Sequence, residues 1–308
     1  MQSSYLKMGD RGKNSVVRYI CSILTILIFW QGIGALLYLI PIIYVFVDNN
    51  PNTYVDLTTG RLIGIDPLID YIFLNMTLVC FFIGVYVAMR CIHQRSIKTL
   101  ITPEDKINWK KFFIGFGVYG ILLILSGVAD YLAAPETYRI SFDAAKFFVG
   151  LPIILILTPI QTTAEELFFR GYVLQGFGRK IKNTFILSVI SGFIFMVPHL
   201  LNPEVFKSRS MGGFETISGV AYYFLVGFIF AVVTIKTNSL EVAMGAHAVN
   251  NLIGALLVGF SDSVFQTNTV FYTTRFDPVF NFVSMIIISI VFYFVIVKMI
   301  KTQKLEDV

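Results

Sequence analysis

Long uncharged, apolar runs alternate along this chain with short segments that contain the charged residues. Eight runs of 18 to 29 residues carry no Asp, Glu, Lys or Arg, and charged residues border every run. About 20 apolar residues cross a bilayer as a helix. The pattern predicts eight transmembrane helices, at roughly 19–47, 71–89, 112–129, 147–164, 183–203, 217–235, 242–260 and 278–297.

The composition supports a membrane protein. Of 308 residues, 56% are hydrophobic and only 14% are charged, whereas a soluble domain carries about 25% charged residues. We therefore expect an all-α, polytopic membrane bundle, which excludes a disordered chain and a nucleic-acid binder. The cysteines, Cys21, Cys80 and Cys91, are widely spaced and form no C-x-x-C pair, so neither a disulfide framework nor a thiolate metal site is predicted.

The loop charges predict an orientation. With eight spans, 18 of the 24 Lys and Arg residues fall in the terminal segments and the loops on their side of the membrane, and six fall on the other side. Cytoplasmic loops carry an excess of positive charge. Both termini are therefore predicted to be cytoplasmic.

Ionisable side chains cost free energy inside a membrane, and the first cluster of them lies at the end of the fourth run. Glu166 and Arg170 are four residues apart and share a helix face, so they can form an ion pair. Glu165 is rotated from Glu166 by about 100° and can face a cavity. The alternative is that both carboxylates simply end the span near the interface.

Two further clusters lie in the fifth and seventh runs. His199 follows Pro198 and lies one turn after Phe195, while His247 and Asn251 are four residues apart among small residues that allow close helix contact. Taken singly, His199 could be a hydrogen-bonded structural histidine, and His247 with Asn251 could join two helices. Ionisable groups inside spans usually face a bundle interior or a wet cavity. Together the three clusters predict a functional site suited to acid/base hydrolysis.

These residues resemble the motifs of the CPBP intramembrane proteases, also called the CAAX-protease or Abi family, which includes the Rce1-type endopeptidases. The motifs E-E-x-x-x-R, F-x-x-x-H and H-x-x-x-N read here Glu165-Glu166-Leu-Phe-Phe-Arg170, Phe195-Met-Val-Pro-His199 and His247-Ala-Val-Asn-Asn251. The resemblance implies three parts of the chain: N-terminal spans at 1–119, a protease core at 120–260, and a last span with a cytoplasmic tail at 261–308.

The resemblance also implies roles for these residues and a site that opens within the bilayer near the cytoplasmic side. Glu165 would activate water, and His199 would assist it. His247 and Asn251 would hold the oxyanion or a metal. Glu166 and Arg170 would brace the site.

Two mechanisms stay open from the residues. Glu165, His199 and His247 could supply three ligands to zinc with an open fourth position. Without a metal, Glu165 would be the general base, and Asn251 and His247 would donate to the oxyanion. We favour the metal-free mechanism.

The function predicted from the sequence is an intramembrane endopeptidase that cuts a membrane-associated or lipidated peptide near the cytoplasmic face. Its partners would be that peptide or protein and the lipid bilayer, and its location the plasma membrane of a bacterium. Two other functions are compatible with the residues: a non-enzymatic scaffold or bacteriocin-immunity protein, and a proton-coupled transporter, since buried Glu and His also form proton relays.

Overall fold

The apolar runs fold as helices in a computed structural model, which describes residues 3–57 and 61–306. The prediction of an all-α, polytopic membrane bundle is confirmed. The α-helices of these residues are α1 (Ser4–Lys7), α2 (Val16–Leu27), α3 (Ala35–Val47), α4 (Pro67–Val87), α5 (Trp109–Ala133), α6 (Ala144–Glu166), α7 (Leu174–Gly178), α8 (Thr184–His199), α9 (Pro203–Met211), α10 (Gly213–Thr237), α11 (Glu241–Leu256) and α12 (Pro278–Glu306).

Shorter elements join or extend these helices. The π-helical segments Ile28–Gly34, Ala88–Ile92 and Leu167–Val173 continue α2, α4 and α6, and 3₁₀ turns occur at Met8–Asp10, Ile97–Leu100 and Pro135–Thr137. The strands are β1 (Tyr54–Asp56), β2 (Arg61–Ile63), β3 (Tyr138–Ile140), β4 (Val258–Phe260) and β5 (Phe271–Thr273).

Polar caps fix where several long helices begin. Asp66 accepts a hydrogen bond from the backbone N–H two residues on, Asn108 and Asp143 from the N–H three residues on, and Asn183 from both positions. A side-chain oxygen at this position satisfies N–H groups that the first turn leaves without a partner. The charged and polar residues that border the apolar runs therefore also set the helix starts.

Four segments meet at one end of the bundle and form what we call the basic face. They are residues 3–14, 93–108, 174–182 and 238–240. The Tyr5 hydroxyl lies 2.6 Å from the Leu100 carbonyl oxygen and 3.0 Å from that of Arg170, and Ser3 Oγ donates to Asn238 Oδ1 at 2.6 Å. The loops that the charge pattern assigns to the cytoplasm therefore contact one another.

His93 is buried inside the basic face. Its Nδ1 lies 2.9 Å from the Lys13 carbonyl oxygen and its Nε2 lies 3.0 Å from the Tyr172 hydroxyl. Burial lowers the pKa of His93, and the neighbouring Arg95 lowers it further. The ring is neutral at pH 7, with Nδ1 donating to Lys13 and Nε2 accepting from Tyr172. These hydrogen bonds join three segments at this end of the bundle.

The opposite end carries the strands, and we call it the sheet face. It contains residues 48–57, 61–66, 134–143 and 257–277. β5 pairs antiparallel with β3 and parallel with β4, with Phe271 opposite Ile140 and Val258, and the Arg61 guanidinium donates to the Ser261 carbonyl oxygen. Loops that the sequence assigns to the outer side therefore also lie together.

The number of spans differs from a simple count of apolar runs. Six helices of the described chain are long and apolar enough to cross a membrane, or seven if α8 and α9, which meet at 89°, count as one. α11 has 16 residues and is about 24 Å long, shorter than the ~30 Å hydrocarbon layer. It still connects the two faces, because Leu240 N–H donates to the Ile101 oxygen at 2.8 Å and Val270 N–H donates to the Leu256 oxygen at 3.1 Å. The count of eight stays a prediction.

α11 lies unusually close to α5. A Cβ atom on Gly245 would lie 2.0 Å from the Phe112 carbonyl oxygen, and one on Gly115 would lie 2.1 Å from the Val242 oxygen. Such distances admit no side chain, so the helix backbones touch at both points. The small residues around His247 therefore serve the close helix contact expected for them, and this contact fixes the depth of His247 in the bundle.

Candidate active site

The first motif lies where α6 passes into a π-helical segment. Glu165 and Glu166 are the last two residues of α6, and Arg170 lies within Leu167–Val173. π-Helical turns inside α-helices are frequent at functional sites. The rotation of about 100° between adjacent residues separates the two carboxylates: Glu165 lines a cavity, whereas Glu166 is fully buried behind it.

Glu166 joins the first motif to the third. Its Oε1 accepts hydrogen bonds from Arg170 Nη1 and from His247 Nδ1, each at 2.8 Å. The side chains of Glu166 and Arg170 have no exposed surface. Water does not solvate either charge, so the two charges compensate each other. Because the carboxylate only accepts, the Nδ1 of His247 carries a proton, and in the neutral form of the imidazole the Nε2 then has a lone pair.

Phe195, the first residue of the second motif, joins Arg170 to His199. The Arg170 guanidinium carbon lies 4.1 Å from the centre of the Phe195 ring, within the range of a cation–π contact. The same ring lies 4.4 Å from the imidazole of His199, centre to centre. The aromatic residue one turn before the histidine is therefore a packing link between two motifs.

His199 is held at the end of α8 by its own helix. Its Nδ1 lies 2.7 Å from the Phe195 carbonyl oxygen, which can only accept. The proton is therefore on Nδ1, and Nε2 has a lone pair, as in His247. α8 ends at His199, and α9 leaves at 89° after a short break, which leaves the histidine at the edge of the cavity.

The three motifs converge on Glu165. Its Oε1 accepts a hydrogen bond from Gln161 Nε2 at 3.0 Å. Its Oε2 is buried and has no hydrogen-bond partner among the described residues, but it lies 4.0 Å from His199 Nε2 and 3.9 Å from His247 Nε2. Three electron-pair donors thus face a common gap, and whatever lies between them must supply hydrogen-bond donors or positive charge.

The size of this gap suits a water molecule better than zinc. Ligands about 2.0–2.2 Å from a tetrahedral zinc lie roughly 3.4 Å apart, which is shorter than the observed 3.9 and 4.0 Å. No group of three or more His, Cys, Asp or Glu side chains in the described ranges is placed to hold a metal ion. A water that donates two hydrogen bonds of about 2.8 Å joins acceptors that are about 4–4.5 Å apart.

Asn251 lies one turn beyond His247 on α11 and also lines the cavity. Its Oδ1 accepts a hydrogen bond from Asn250 Nδ2 at 2.9 Å, so its own amide N–H groups are available as donors. The structure places Glu165, His199 and His247 around one gap, Glu166 and Arg170 behind them, and Asn251 on the adjoining wall.

Three further residues support the site and were not predicted from the sequence. Gln161 holds Glu165, the ring of Tyr223 stacks on His199 with centres 4.5 Å apart, and the Tyr223 hydroxyl donates to Glu204 Oε1. The spacing of four between Gln161 and Glu165 was a readable signal. Tyr223 carried none, since an aromatic residue in an apolar helix is ordinary.

The cavity in front of these groups has a volume of about 730 Å³, within the usual range for binding sites. Its wall combines aromatic and aliphatic side chains with amides and a few charged groups. Inside a membrane bundle, such polar residues line wet cavities. The arrangement can hold an extended peptide segment against Glu165 with water present.

Two comparisons with known proteins agree with the motifs. Residues 145–253 match the family of type II CAAX prenyl endopeptidases described as Rce1-like. The chain is also 37% identical over 284 residues to the uncharacterized protein YyaK of Bacillus subtilis (strain 168), covering 91% of both chains. No solved structure matches the chain.

Proposed function

Since this chain belongs to the Rce1-like family of type II CAAX prenyl endopeptidases, we propose that it is an intramembrane endopeptidase. The observation that carries the proposal is the gap bounded by Glu165 Oε2, His199 Nε2 and His247 Nε2. It has the size and polarity to hold one water molecule, and it borders a cavity large enough for a peptide.

In the proposed mechanism the water is activated without a metal. It donates one hydrogen bond to Glu165 Oε2 and the other to an imidazole Nε2, so its oxygen lone pair faces the cavity. As the oxygen attacks the peptide carbonyl carbon, Glu165 takes the proton. Glu165 then gives this proton to the departing amine as the C–N bond breaks, which restores the carboxylate.

Asn251 is the proposed donor to the oxyanion. The N–H of neutral His247 is already bound to Glu166, so His247 can donate to the oxyanion only when it is protonated. The amide of Asn251 has no such restriction. An oxyanion donor of this kind contributes about 3–4 kcal/mol in soluble proteases.

The proposed substrate is a membrane-associated or lipidated peptide or protein, and the proposed location is the plasma membrane. The family to which the chain belongs supports a peptide substrate. The test is a comparison of the peptides found in cells that produce the wild-type protein or an equal amount of the Glu165→Gln variant. We expect at least one cleaved peptide end that occurs only with the wild type. Identical sets of peptides would contradict the proposal.

Metal removal is expected to leave peptide hydrolysis unchanged. The proposed steps use no metal, and the distances from Glu165 Oε2 to His199 Nε2 and His247 Nε2 are longer than those between two ligands of one zinc ion. The measurement combines elemental analysis of the purified protein with hydrolysis rates before and after treatment with a zinc chelator. Stoichiometric zinc together with loss of activity that zinc restores would overturn the metal-free mechanism.

Tyr223→Leu is expected to lower kcat for peptide hydrolysis about tenfold, because His199 loses the ring that fixes its plane. Tyr223→Phe keeps the ring and loses only the hydroxyl that contacts Glu204, so it should retain most of the activity. The measurement is kcat and KM for both variants. Equal activity of the Leu and Phe variants would exclude a positioning role for the ring.

A further inference from the structure

The wall of the catalytic cavity is built asymmetrically. Toward one end it includes side chains from segments that the charge pattern assigns to the outer side, namely Arg61, Glu204, Ser263, Phe265 and Phe276. Within the chain as described, no lining residue comes from the four segments of the basic face. The cavity therefore extends from Glu165 toward the sheet face.

The other end of the cavity is closed beneath the catalytic carboxylate. Tyr5 and Leu100 are fully buried, and the Tyr5 hydroxyl reaches the backbone oxygen of Arg170, five residues after Glu165. Gly171 packs so tightly on Leu100 that a Cβ atom there would lie 2.9 Å from the Leu100 Cβ. A peptide approaching from the basic face meets this packed layer before it reaches Glu165.

Charged and polar residues line the end of the cavity nearer the sheet face, which we call the open end. Arg61, Asp70 and Glu204 line it together with the amides of Asn202 and Asn281. The side chains that donate hydrogen bonds to Glu204 are those of Tyr223 and Asn202, both neutral. Charged groups inside a bundle usually face a water-filled cavity, so these residues indicate that this half of the cavity holds water.

We propose that substrates reach the catalytic site from the extracytoplasmic side. The four segments of the basic face contain nine Lys and Arg residues and those of the sheet face contain three. The positive-inside rule therefore makes the basic face cytoplasmic, which puts the open end on the outside. The inference rests on the proposed function and departs from the cytoplasmic opening implied by the family resemblance. The substrate class is then a peptide whose scissile bond is presented outside the cytoplasm, as in an exported or surface-anchored precursor.

The first experiment tests the opening without any need for catalysis. Cys21, Cys80 and Cys91 are replaced by Ser, and one cysteine is returned by Ser263→Cys at the open end, Ser126→Cys on the cavity wall or Ser96→Cys on the basic face. Intact cells are treated with a charged, membrane-impermeant maleimide. We expect the first two variants to react in intact cells and Ser96→Cys to react only after permeabilisation. Reaction of Ser96→Cys in intact cells, or of Ser126→Cys only after permeabilisation, would overturn the proposal.

The second experiment separates this inference from the proposed function. A peptide identified by the cellular comparison is added outside sealed vesicles that present either the sheet face or the basic face outward. We expect cleavage only where the sheet face is outward, and none by Glu165→Gln in either orientation. Cleavage only from the basic face would reject the access route and retain the protease. Absence of Glu165-dependent cleavage in both orientations would reject the protease, while the maleimide pattern would still decide where the cavity opens.

Discussion

Glu165→Gln is expected to lower the rate of peptide hydrolysis roughly 10³-fold while the protein folds normally. The substitution keeps the shape of the side chain and an oxygen that can accept from Gln161. It removes the base that takes the proton of water. The new amide group is uncharged and nearly the same size as the carboxylate, so the free energy of unfolding should not fall. The measurement is kcat/KM for a membrane-bound peptide together with the unfolding midpoint of the purified protein.

The matched control is Glu241→Gln. Glu241 is also buried and lies on α11, the helix of His247, but it faces the basic face, where its Oε1 accepts from the Asn108 N–H at 3.1 Å. A glutamine can make the same contact, so hydrolysis should continue near the wild-type rate. A folded Glu165→Gln variant with wild-type kcat/KM would rule out Glu165 as the base and, with it, the proposed mechanism.

The scarcity of charge explains how much of the site could be predicted from sequence. Ionisable residues are costly inside membrane helices. His199 and His247, within apolar runs, and Glu165, at the end of one, therefore stood out without knowledge of the fold. The spacing of four between Glu166 and Arg170 corresponds to one helix turn, and the structure contains this ion pair at 2.8 Å. Local helix geometry was enough for contacts within one helix.

Contacts between different helices could not be predicted from the spacing of residues within one helix. The bond from His247 to Glu166 spans 81 positions, and the stacking of Tyr223 on His199 joins α10 to α8. Neither leaves a periodic signal in the sequence. The length of α11 was also overestimated, because the apolar run continues through β4 after the helix ends. Hydropathy records burial or lipid contact and does not distinguish helix from strand in so short a segment.

The two adjacent glutamates have different electrostatic roles, because consecutive residues of a helix point in directions about 100° apart. Glu166 is paired with Arg170 and held by His247, so both hydrogen bonds to its Oε1 serve to fix its neighbours. Glu165 has one neutral donor, Gln161, and an oxygen without a partner in the described chain. A general base needs an oxygen that is free to accept a proton, on a side chain that lines the cavity, and of the two carboxylates Glu165 has one.

Arg170→Met is expected to lower the free energy of unfolding by about 3–5 kcal/mol, because it leaves the Glu166 charge buried without compensation. The guanidinium also packs 4.1 Å from the Phe195 ring centre, and methionine fills much of that space. Glu166→Gln alone should also destabilise, since it leaves Arg170 unpaired. The measurement is reversible unfolding of the purified protein in mixed micelles with increasing denaturing detergent.

The double variant Glu166→Gln/Arg170→Met separates charge from packing. It removes both charges at once, so it should be more stable than either single variant, and a double-mutant cycle gives the coupling energy. Arg275→Met is the control: Arg275 pairs with Asp277 at 2.7 Å but keeps 26% of its side-chain surface exposed, so its loss should cost about 1 kcal/mol or less. If Arg170→Met cost no more than Arg275→Met, or if the double variant were as unstable as the sum of the singles, the buried pair would not be the electrostatic brace of the site.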